Sequence, residues 1–350
     1  MDQQKIKIAH RVISENHHPF IIAEMSANHN GSIERAIKLI KLAKDCGADA
    51  VKLQTYKPDT ITLDSSDPEF VINDGLWSGK SLYELYEEAH LPWEWHKDLF
   101  ELANKIGILI FSSPFDSTAV ELLESLGAPA YKVASFEATD LPLIECIAKT
   151  GKPMIISTGM ANFQEIGEAV ETARSNGCNQ LAILHCVSGY PAPHTDYNLK
   201  TISDIKEKFN VVTGISDHTV SNTTSITSIA FGASIIEKHF TTSRKDEGPD
   251  STFSLEPKEL KALVEDSRIA WESIGKINYD KKKSEIPNIK FRRSLYYVKD
   301  LKAGSVLKVS DFKSVRPGYG IHPKHSKEIV GKKLLRDIKK FSPIDIKDFK

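Results

Sequence analysis

The sequence has no long hydrophobic segment and few cysteines. Its longest apolar runs, such as Phe20 to Ala23 and Ile108 to Phe111, are the size of a strand, far below the roughly 18 residues that span a bilayer. The first residues, MDQQKIKIAHRV, contain no apolar core, so we expect neither a signal peptide nor a membrane partner. The four cysteines are scattered without CxxC spacing, which argues against a disulfide scaffold and predicts a cytoplasmic protein with reduced thiols.

The composition is that of an ordinary folded protein. Hydrophobic residues make up 40% and charged residues 27% of the 350 positions. These values exclude a disordered chain and a collagen-like chain. A chain of this length is typical of roughly two domains with ample core.

Charge is distributed unevenly, although the net charge is only −1. From Lys281 to Lys350 there are 20 Lys and Arg against 7 Asp and Glu, whereas residues 1–280 have 26 against 40. A step of this size predicts a domain boundary near residue 280. The basic segment lacks the clustered aromatic residues of a nucleic-acid stacking platform. We therefore expect it to dock on the acidic main domain or to receive an anionic substrate, and we expect no nucleic acid as partner.

Short β-rich runs alternate with helical stretches between residues 20 and 275. Ser32, Ser117 and Asn162 are each predicted to open a helix, because Ser and Asn are favoured as N-caps. Eight strands alternating with helices over this length predict a (β/α)8 TIM barrel of class α/β. The alternative, a doubly wound open sheet, would need a glycine-rich phosphate turn after its first strand, and AEMSANHNG does not supply GxGxxG. The predicted strands are Phe20–Met25, Ala50–Thr55, Ile108–Ser113, Ala130–Ala134, Pro153–Thr158, Leu181–Cys186, Val211–Ser216 and Ser234–Lys238.

One connection, between Thr55 and Ile108, is unusually long and contains the aromatic stretch WSGKSLYELYEEAHLPWEWH. Long insertions after a barrel strand belong to the catalytic face, so we expect this one to roof the site. Most of its individual rings are equally consistent with the core face of a plain helix.

Polar residues recur where the predicted strands end. The carboxyl ends of barrel strands share one face, so these side chains should converge. Any one of these residues alone is typical of a surface or core polar group with a hydrogen-bond partner. Polar residues at all eight strand ends, however, indicate a functional site. The residues at or just after these ends include Glu24, Lys52, Gln54, Ser113, Lys132, Ser135, Glu137, Ser157, Ser188, Tyr190, Ser216, His218, Glu237 and His239.

Two lysines among several hydroxyls are suited to binding phosphate and carboxylate, although pairing with Glu24 and Glu237 is an alternative role. His218 and His239 could bind one divalent ion and leave positions open for water and substrate, or could simply be hydrogen-bonded. Lys132 as a Schiff-base lysine is a further alternative, but its polar surroundings favour the charged form.

At these residues the sequence resembles the bacterial sialic (nonulosonic) acid synthase family over essentially its whole length. The matching stretches include IIAEMSANHNG, GADAVKLQTY, AYKVASFE, GISDHT and IEKHF, followed by GPDSTFSL and, in the tail, RPGYGIHP. The resemblance implies a barrel in residues 1–280, a linker at 281–289 and a small antifreeze-like (SAF) domain at 290–350. It implies condensation of phosphoenolpyruvate with an N-acetylated amino sugar, with a divalent metal ion, Mn²⁺ or Mg²⁺, as cofactor.

The resemblance also implies roles for individual residues. His218 and His239 match the metal ligands, and Glu24 lies beside the metal and the reacting carbons. Arg316 matches an arginine that completes the site of the neighbouring subunit, which implies a domain-swapped homodimer. The residues implied to hold phosphoenolpyruvate are Lys52, Ser113, Lys132, Ser135, Ser157 and Ser216. Those implied to contact the sugar are Glu137, Tyr190 and Asp250, and we place Gln54 with the substrate-binding residues.

Within the family, the chain is most similar to the branch that makes pseudaminic acid. Its first motif reads EMSANHN, where neuraminate-forming members have a glycine-containing pattern, and FRRSLY fits the same branch. This implies 2,4-diacetamido-2,4,6-trideoxy-L-altrose as the acceptor; the alternative is an N-acetylmannosamine-type acceptor that gives neuraminate or legionaminate. Ser188 replaces an asparagine of the neuraminate-forming members, and the sequence does not define its role.

A different class of function is a carbohydrate-binding protein that keeps the fold without turnover. The complete set of Glu24, both lysines, both histidines and Arg316 argues against such a loss.

Overall fold

The computed structural model describes residues 4–350, which form two compact units. The first unit ends at Gly275 and the second comprises Lys276–Lys350. The charge step at Lys281 lies just inside the second unit. Among the described residues, no helix is long and apolar enough to cross a membrane.

The first unit is a closed barrel of eight parallel strands, which confirms the predicted (β/α)8 fold. Each strand pairs with the next along the chain, and β10 closes the ring by pairing with β3. The strands agree with the predicted ones to within one or two residues. A short antiparallel hairpin, β1 (Ile6–Ile8) and β2 (Arg11–Ile13), precedes them. The barrel strands are β3 (Phe20–Glu24), β4 (Ala50–Thr55), β5 (Leu109–Pro114), β6 (Tyr131–Val133), β7 (Met154–Ser157), β8 (Leu181–Cys186), β9 (Val212–Ser216) and β10 (Ile235–His239).

Helices follow the strands and cover the outside of the barrel. Ser32 and Asn162 accept hydrogen bonds as N-caps, as predicted, but the helix expected to open at Ser117 is capped by Asp116, whose carboxylate accepts from the Ala119 N–H. The helices of this unit are α1 (Ile33–Asp45), α2 (Pro58–Ile61), α3 (Leu82–Ala89), α4 (Trp95–Ile106), α5 (Ser117–Ser125), α6 (Leu141–Ala148), α7 (Phe163–Ser175), α8 (Lys200–Phe209), α9 (Thr223–Ser228) and α10 (Pro257–Ile274).

The interior of the barrel changes from apolar to polar along its axis. Alternate residues of a strand point inward, and the inward positions near the amino ends form an apolar cluster with Ile6, Ile8 and Ile13 of the hairpin. Gly214 lies in this layer, where a Cβ would be 2.4 Å from the Ile235 carbonyl oxygen, so the interior has no room for a larger residue. The hairpin and the apolar layers leave the carboxyl end as the polar end of the barrel.

The second unit has its own small core. The strands β11 (Ser294–Tyr297) and β12 (Phe312–Val315) pair antiparallel, and one short helix, α11 (Ser326–Ile329), follows them. Its buried apolar side chains are Leu295, Tyr297, Leu307, Phe312, Ile329, Leu334, Ile338, Ile344 and Phe349.

A buried histidine joins the long insertion to the barrel wall. His96 of α4 lies with its Nε2 2.8 Å from the Thr55 hydroxyl and its Nδ1 3.2 Å from the Pro92 carbonyl oxygen. Burial lowers the pKa of His96 to about 4, and burial lowers that of His29 to about 4 as well. Both imidazoles are therefore neutral in the folded protein at pH 7.

We expect the free energy of unfolding of the first unit to fall between pH 6.5 and 4. The unfolded state binds protons at these histidines before the folded state does, so each can remove up to about 3 kcal/mol as the pH falls. His96→Gln keeps a hydrogen-bond partner for Thr55 but cannot titrate. Its unfolding free energy should therefore fall less with pH than that of wild type, by up to about 3 kcal/mol. Urea unfolding followed by tryptophan fluorescence measures this, because Trp77, Trp93, Trp95 and Trp271 all lie in the first unit.

The comparison is made between wild type and His96→Gln at pH 7 and pH 4.5. A difference in unfolding free energy that stays the same at both pH values would contradict a buried neutral His96.

Candidate active site

Strand periodicity places the site residues on the inner wall of the barrel. Lys52 and Gln54 follow Ala50 at intervals of two, and Glu237 and His239 follow Ile235 in the same way. Because Ala50 and Ile235 belong to the inner apolar layer, the residues beyond them also face inward. The other predicted residues of this kind are Glu24, Ser113, Lys132, Ser157 and Ser216.

Two lysines and two glutamates form a buried ion-pair network. Lys52 Nζ is 2.6 Å from a Glu24 oxygen and 3.7 Å from Glu237 Oε1. Lys132 Nζ is also 3.7 Å from Glu237 Oε1, so this glutamate lies between the two ammonium groups. All four side chains are at most 6% exposed. The lysines are therefore paired with Glu24 and Glu237, which is the alternative to anion binding that the sequence left open.

The hydroxyls predicted to bind the anion surround these lysines. Lys132 Nζ donates to Ser157 Oγ at 2.6 Å, and Lys52 Nζ lies 3.3 Å from Ser113 Oγ. Ser216 Oγ donates to Glu237 at 3.3 Å. Five ammonium and hydroxyl groups thus converge, and this donor set is suited to phosphate and carboxylate oxygens.

Burial and neighbouring charges shift the pKa values of the two carboxyl groups in opposite directions. Burial is the largest effect on Glu24 and raises its pKa to about 7, although the Lys52 ammonium acts against it. Burial also acts on Glu237, but Lys132 and Lys52 together outweigh it and lower the pKa of Glu237. Glu237 is therefore the permanent counter-ion of the lysines, whereas Glu24 can exchange a proton near neutral pH.

The same two effects, burial and neighbouring charge, give the two lysines net pKa shifts of opposite sign. Burial favours loss of the proton from Lys52, but Glu237 and Glu24 outweigh it and raise its pKa. Burial prevails at Lys132, which has only the more distant Glu237 contact, and its pKa is lowered.

The two predicted metal ligands, His218 and His239, lie side by side with ring centroids 5.3 Å apart. His218 Nδ1 is 2.9 Å from the Val187 carbonyl oxygen, which can only accept, so Nδ1 carries a proton and Nε2 is the nitrogen left for a metal ion. Burial favours the neutral form of His218, but Cys186, the Val187 carbonyl and Glu237 outweigh it and raise its pKa. His239 Nδ1 is buried without a hydrogen-bond partner among residues 4–350, and the Asp250 carboxylate lies 3.8 Å away. Burial, with His218 and Lys52 nearby, holds the pKa of His239 well below its usual value.

His239 is neutral, and His218 would bind a divalent ion through Nε2 after losing any proton there, so the residue types fit two imidazole ligands of one ion. In the part of the chain that the structure describes, three or more His, Cys, Asp or Glu side chains nowhere come together as a complete metal site. The two histidines would therefore supply only part of a ligand set, and a metal ion held there would take its other ligands from water or substrate.

A cavity of about 370 Å³, which we call the sugar pocket, is lined in part by His239. Its polar lining includes Gln54, Ser135, Glu137, Tyr190 and Asp250, all of them predicted substrate residues. The rest of the lining, which we call the apolar wall, comes largely from the long insertion and from strand ends, and its Trp77 packs against Tyr190 with ring centroids 5.9 Å apart. The residues of this wall are Tyr56, Ile61, Trp77, Leu85, Tyr86, Ala89 and Phe115.

Three of the polar residues have defined surroundings. Tyr190 lies against His218 with ring centroids 4.5 Å apart. Gln54 Nε2 donates to Glu24 Oε1 at 3.2 Å and so joins the pocket to the ion-pair network. Burial raises the pKa of Glu137 to about 7, and no atom of residues 4–350 hydrogen-bonds its Oε2. Glu137 therefore has hydrogen-bonding capacity available for a ligand.

Ser135 and Ser188 meet at a glycine. Ser135 Oγ accepts a hydrogen bond from the Gly159 N–H at 3.1 Å. A Cβ at Gly159 would be 2.1 Å from Ser188 Oγ and 2.9 Å from Ser135 Oγ, so the close approach of both serines requires glycine. Ser188 thus contributes to the packing of the strand ends. Arg316 lies apart from this group in the sequence, exposed directly after β12 of the second unit.

Several residues of the site were missed by sequence reasoning. Cys186 lies 3.9 Å from His218 Nδ1, and the period of two along β8 would have placed it inward. Lys238 is buried on the outer side of β10 and donates to Asp217 at 3.0 Å, which anchors the loop carrying His218. Tyr56, Tyr86 and Phe115 form the aromatic wall through contacts that no local pattern encodes.

Comparisons with known proteins identify both units. Residues 39–279 match the model of the NeuB family, and residues 292–350 match that of the SAF domain. The chain is 46% identical to a protein named pseudaminic acid synthase from Campylobacter jejuni, over 95% of this chain and 96% of the relative. It is 37% identical to N,N'-diacetyllegionaminic acid synthase from Legionella pneumophila, over 90% of each chain.

A solved structure is similar as well. The N-acetylneuraminic acid synthetase from Leptospira borgpetersenii superposes with a TM-score of 0.73 at 32% identity. The match covers 82% of this chain and 95% of that protein.

The converging ammonium and hydroxyl groups predict that the barrel binds sulfate, which is fully ionised at neutral pH. Lys132→Met should weaken this binding at least about tenfold, because one charge-assisted hydrogen bond contributes roughly 1.5–3 kcal/mol. Isothermal titration with sulfate at pH 7 measures the loss. Lys152→Met is the matched control, since Lys152 pairs with Glu124 and is not among the site residues. Equal sulfate affinity in wild type and Lys132→Met would contradict an anion site at these lysines.

Proposed function

The chain belongs to the NeuB family and carries a C-terminal SAF domain, and from this premise we propose that it synthesises pseudaminic acid. It would condense phosphoenolpyruvate and water with 2,4-diacetamido-2,4,6-trideoxy-L-altrose and release phosphate. The choice of product is supported by identity: 46% to the pseudaminic acid synthase against 37% to the legionaminic acid synthase, each over at least 90% of the chain.

The observation that carries the proposal is the position of the buried lysine–glutamate network directly beside the sugar pocket. Glu24 contacts both Lys52 of the network and Gln54 of the pocket. An anionic donor bound at the lysines would therefore meet a neutral sugar in the pocket near Glu24. This arrangement suits a reaction that joins a small phosphorylated acid to an uncharged acceptor.

In this proposal the two lysines hold the phosphate and carboxylate of phosphoenolpyruvate. Ser113, Ser157 and Ser216 add hydrogen bonds from neighbouring strands, and Ser135 adds one from the pocket side. Fixed ammonium groups in a buried site stabilise negative charge as it shifts onto the phosphate, without reorganisation of solvent. C3 of phosphoenolpyruvate then attacks C1 of the open-chain sugar, water adds at C2, and phosphate leaves with cleavage of the C2–O bond.

Glu24 is the residue we assign to the proton that the attacking water must lose. Burial raises its pKa to about 7, so it can accept a proton at neutral pH and release it again. Gln54 and Lys52 orient its two oxygens.

His218 and His239 would hold the divalent ion, Mn²⁺ or Mg²⁺. When bound, such an ion supplies Lewis-acid polarisation of the sugar aldehyde. On the sugar side, Tyr190, Glu137 and Asp250 would contact the acceptor. The apolar wall of the same pocket suits the methyl groups of its two acetamido substituents and of C6.

We further propose a cytoplasmic homodimer in which Arg316 of each subunit completes the site of the other. The location follows from the donor, because a multiply charged phosphoenolpyruvate molecule does not cross a lipid bilayer unaided. The basic second unit, with 20 Lys and Arg against 7 Asp and Glu from residue 281 onward, is complementary in charge to the acidic remainder of another copy.

The proposed function predicts a metal-dependent product from one of three acceptors. Phosphoenolpyruvate and Mn²⁺ are supplied with N-acetylmannosamine, the diacetamido-trideoxymannose or the diacetamido-trideoxyaltrose, and products are identified by mass spectrometry. We expect product from the altrose sugar, lost on addition of EDTA and restored by excess Mn²⁺. In ¹⁸O-labelled water, the label should enter the sugar acid and not the phosphate.

Product from another acceptor alone would overturn the choice of sugar and favour neuraminate or legionaminate. No product from any acceptor would contradict the enzyme and favour a carbohydrate-binding protein. Label in the phosphate would contradict cleavage of the C–O bond.

The shared site predicts recovery of activity in mixed dimers. Arg316→Ala and Lys132→Ala should each be nearly inactive, but co-expression should restore roughly a quarter of the sites, since half of randomly paired dimers contain one intact site. Activity per dimer is compared with both parents. Lys52→Ala co-expressed with Lys132→Ala is the matched control, because both changes lie in the barrel and no arrangement of the second unit repairs them. Recovery no greater than in this control would contradict completion in trans.

A further inference from the structure

The backbone is strained at one position of the sugar pocket. Ser26, two residues after Glu24, has a φ of +43°, in the left-handed region that side chains other than glycine rarely adopt. Ser26 is the first residue of a tight turn of 3₁₀ helix, Ser26–His29. Glycine would satisfy this conformation without steric cost, so the turn itself does not account for a serine.

The side chain of Ser26 lies where a ligand of the pocket would reach it. Ser26 is only 8% exposed and lines the sugar pocket together with Asp250. Burial raises the pKa of the Asp250 carboxyl, and the Ser26 hydroxyl is near enough to act against this rise, together with the Ala27 N–H. Strain kept at a buried site position indicates that the side chain has a task there.

Asp250 is held from several sides. The Ala27 N–H donates to Asp250 Oδ2 at 3.3 Å, and His239 Nδ1 lies 3.8 Å from the same oxygen. The Asp250 carbonyl oxygen accepts from Ser254 Oγ at 2.6 Å, which fixes the main chain. Ser26 lies in the turn directly after the strand that ends at Glu24, so it links the surroundings of the carboxylate to the first barrel strand.

We propose that Ser26 is a specificity-determining residue, which orients the Asp250 carboxylate toward a hydrogen-bond donor of the acceptor sugar. The inference rests on the proposed function, since it concerns the sugar of that reaction. An ionised carboxylate only accepts hydrogen bonds, so the matching group is an N–H or O–H. An acetamido N–H fits best, because its methyl group would meet the apolar wall of Tyr56, Tyr86 and Phe115.

We assign to Asp250 the acetamido group that N-acetylmannosamine lacks, so a sugar with two such groups should depend on Ser26 more than N-acetylmannosamine does. The alternative is that Ser26 only fills space at a turn. In that case its removal would act on stability and on all acceptors alike.

The test compares Ser26→Gly, Ser26→Ala and wild type with the diacetamido-trideoxyaltrose and N-acetylmannosamine. Both variants lack the hydroxyl, so in both we expect kcat/KM for the diacetamido sugar to fall about tenfold, the effect of one lost hydrogen bond to a charged group. The KM for phosphoenolpyruvate should stay unchanged. Where wild type also converts N-acetylmannosamine, the ratio of kcat/KM between the two acceptors should move toward one.

The strain is tested without substrate. Ser26→Gly and Ser26→Ala differ only in Cβ, so the glycine variant should unfold at a higher urea concentration by tryptophan fluorescence. Ala9→Gly is the matched control for relief of strain: Ala9 has a φ of +50° in the hairpin turn at the opposite end of the barrel. It should also unfold at a higher urea concentration but keep the wild-type acceptor ratio.

The outcomes separate the two proposals. Wild type that converts none of the acceptors contradicts the proposed function. An active wild type whose kcat/KM for the diacetamido sugar is unchanged in both Ser26 variants overturns the role of Ser26. Equal urea midpoints for Ser26→Gly and Ser26→Ala contradict the strain on which the inference depends, whatever the substrate results.

Discussion

The compensation of four charges buried at one end of the barrel is the constraint on which the rest of the site depends. A lone ammonium or carboxylate removed from water costs several kcal/mol, so each must be paired and hydrogen-bonded. The closed ring of strands achieves this by placing Lys52, Lys132 and Glu237 within 3.7 Å contacts and Glu24 at 2.6 Å from Lys52. The apolar lower layers and the hairpin leave only the carboxyl end open to a ligand.

The balance of this network explains why the site can exchange a carboxylate for a substrate. Glu237 keeps its charge between the lysines, whereas burial raises the pKa of Glu24 to about 7. Protonation of Glu24 would leave Lys52 with one charged partner in place of two, and an anion could then take up the released interaction. Glu24 must lose that proton again before it can accept one from the attacking water, and its pKa of about 7 allows this exchange at neutral pH.

The barrel and its inner wall could be predicted from the sequence because both follow from periodicity. The strands at Ala50–Thr55 and Leu181–Cys186 were located to the residue, and the period of two identified Lys52 and Gln54 as neighbours on one face. The cap at Asp116 was missed because Ser117 is an equally good capping residue one position later. The aromatic wall of Tyr56, Tyr86 and Phe115 depends on long-range packing of the insertion. The left-handed backbone of Ser26 leaves no signal in a serine, because only glycine would have marked it.

The central claim is that the lysine–glutamate network is the receptor for phosphoenolpyruvate, and a crystal structure of the complex tests it most directly. We expect phosphate or carboxylate oxygens of the ligand within hydrogen-bonding distance of both Lys52 Nζ and Lys132 Nζ, with C3 directed toward the sugar pocket. Phosphoenolpyruvate bound elsewhere, with the contacts of both lysines to Glu24 and Glu237 unchanged, would contradict the account.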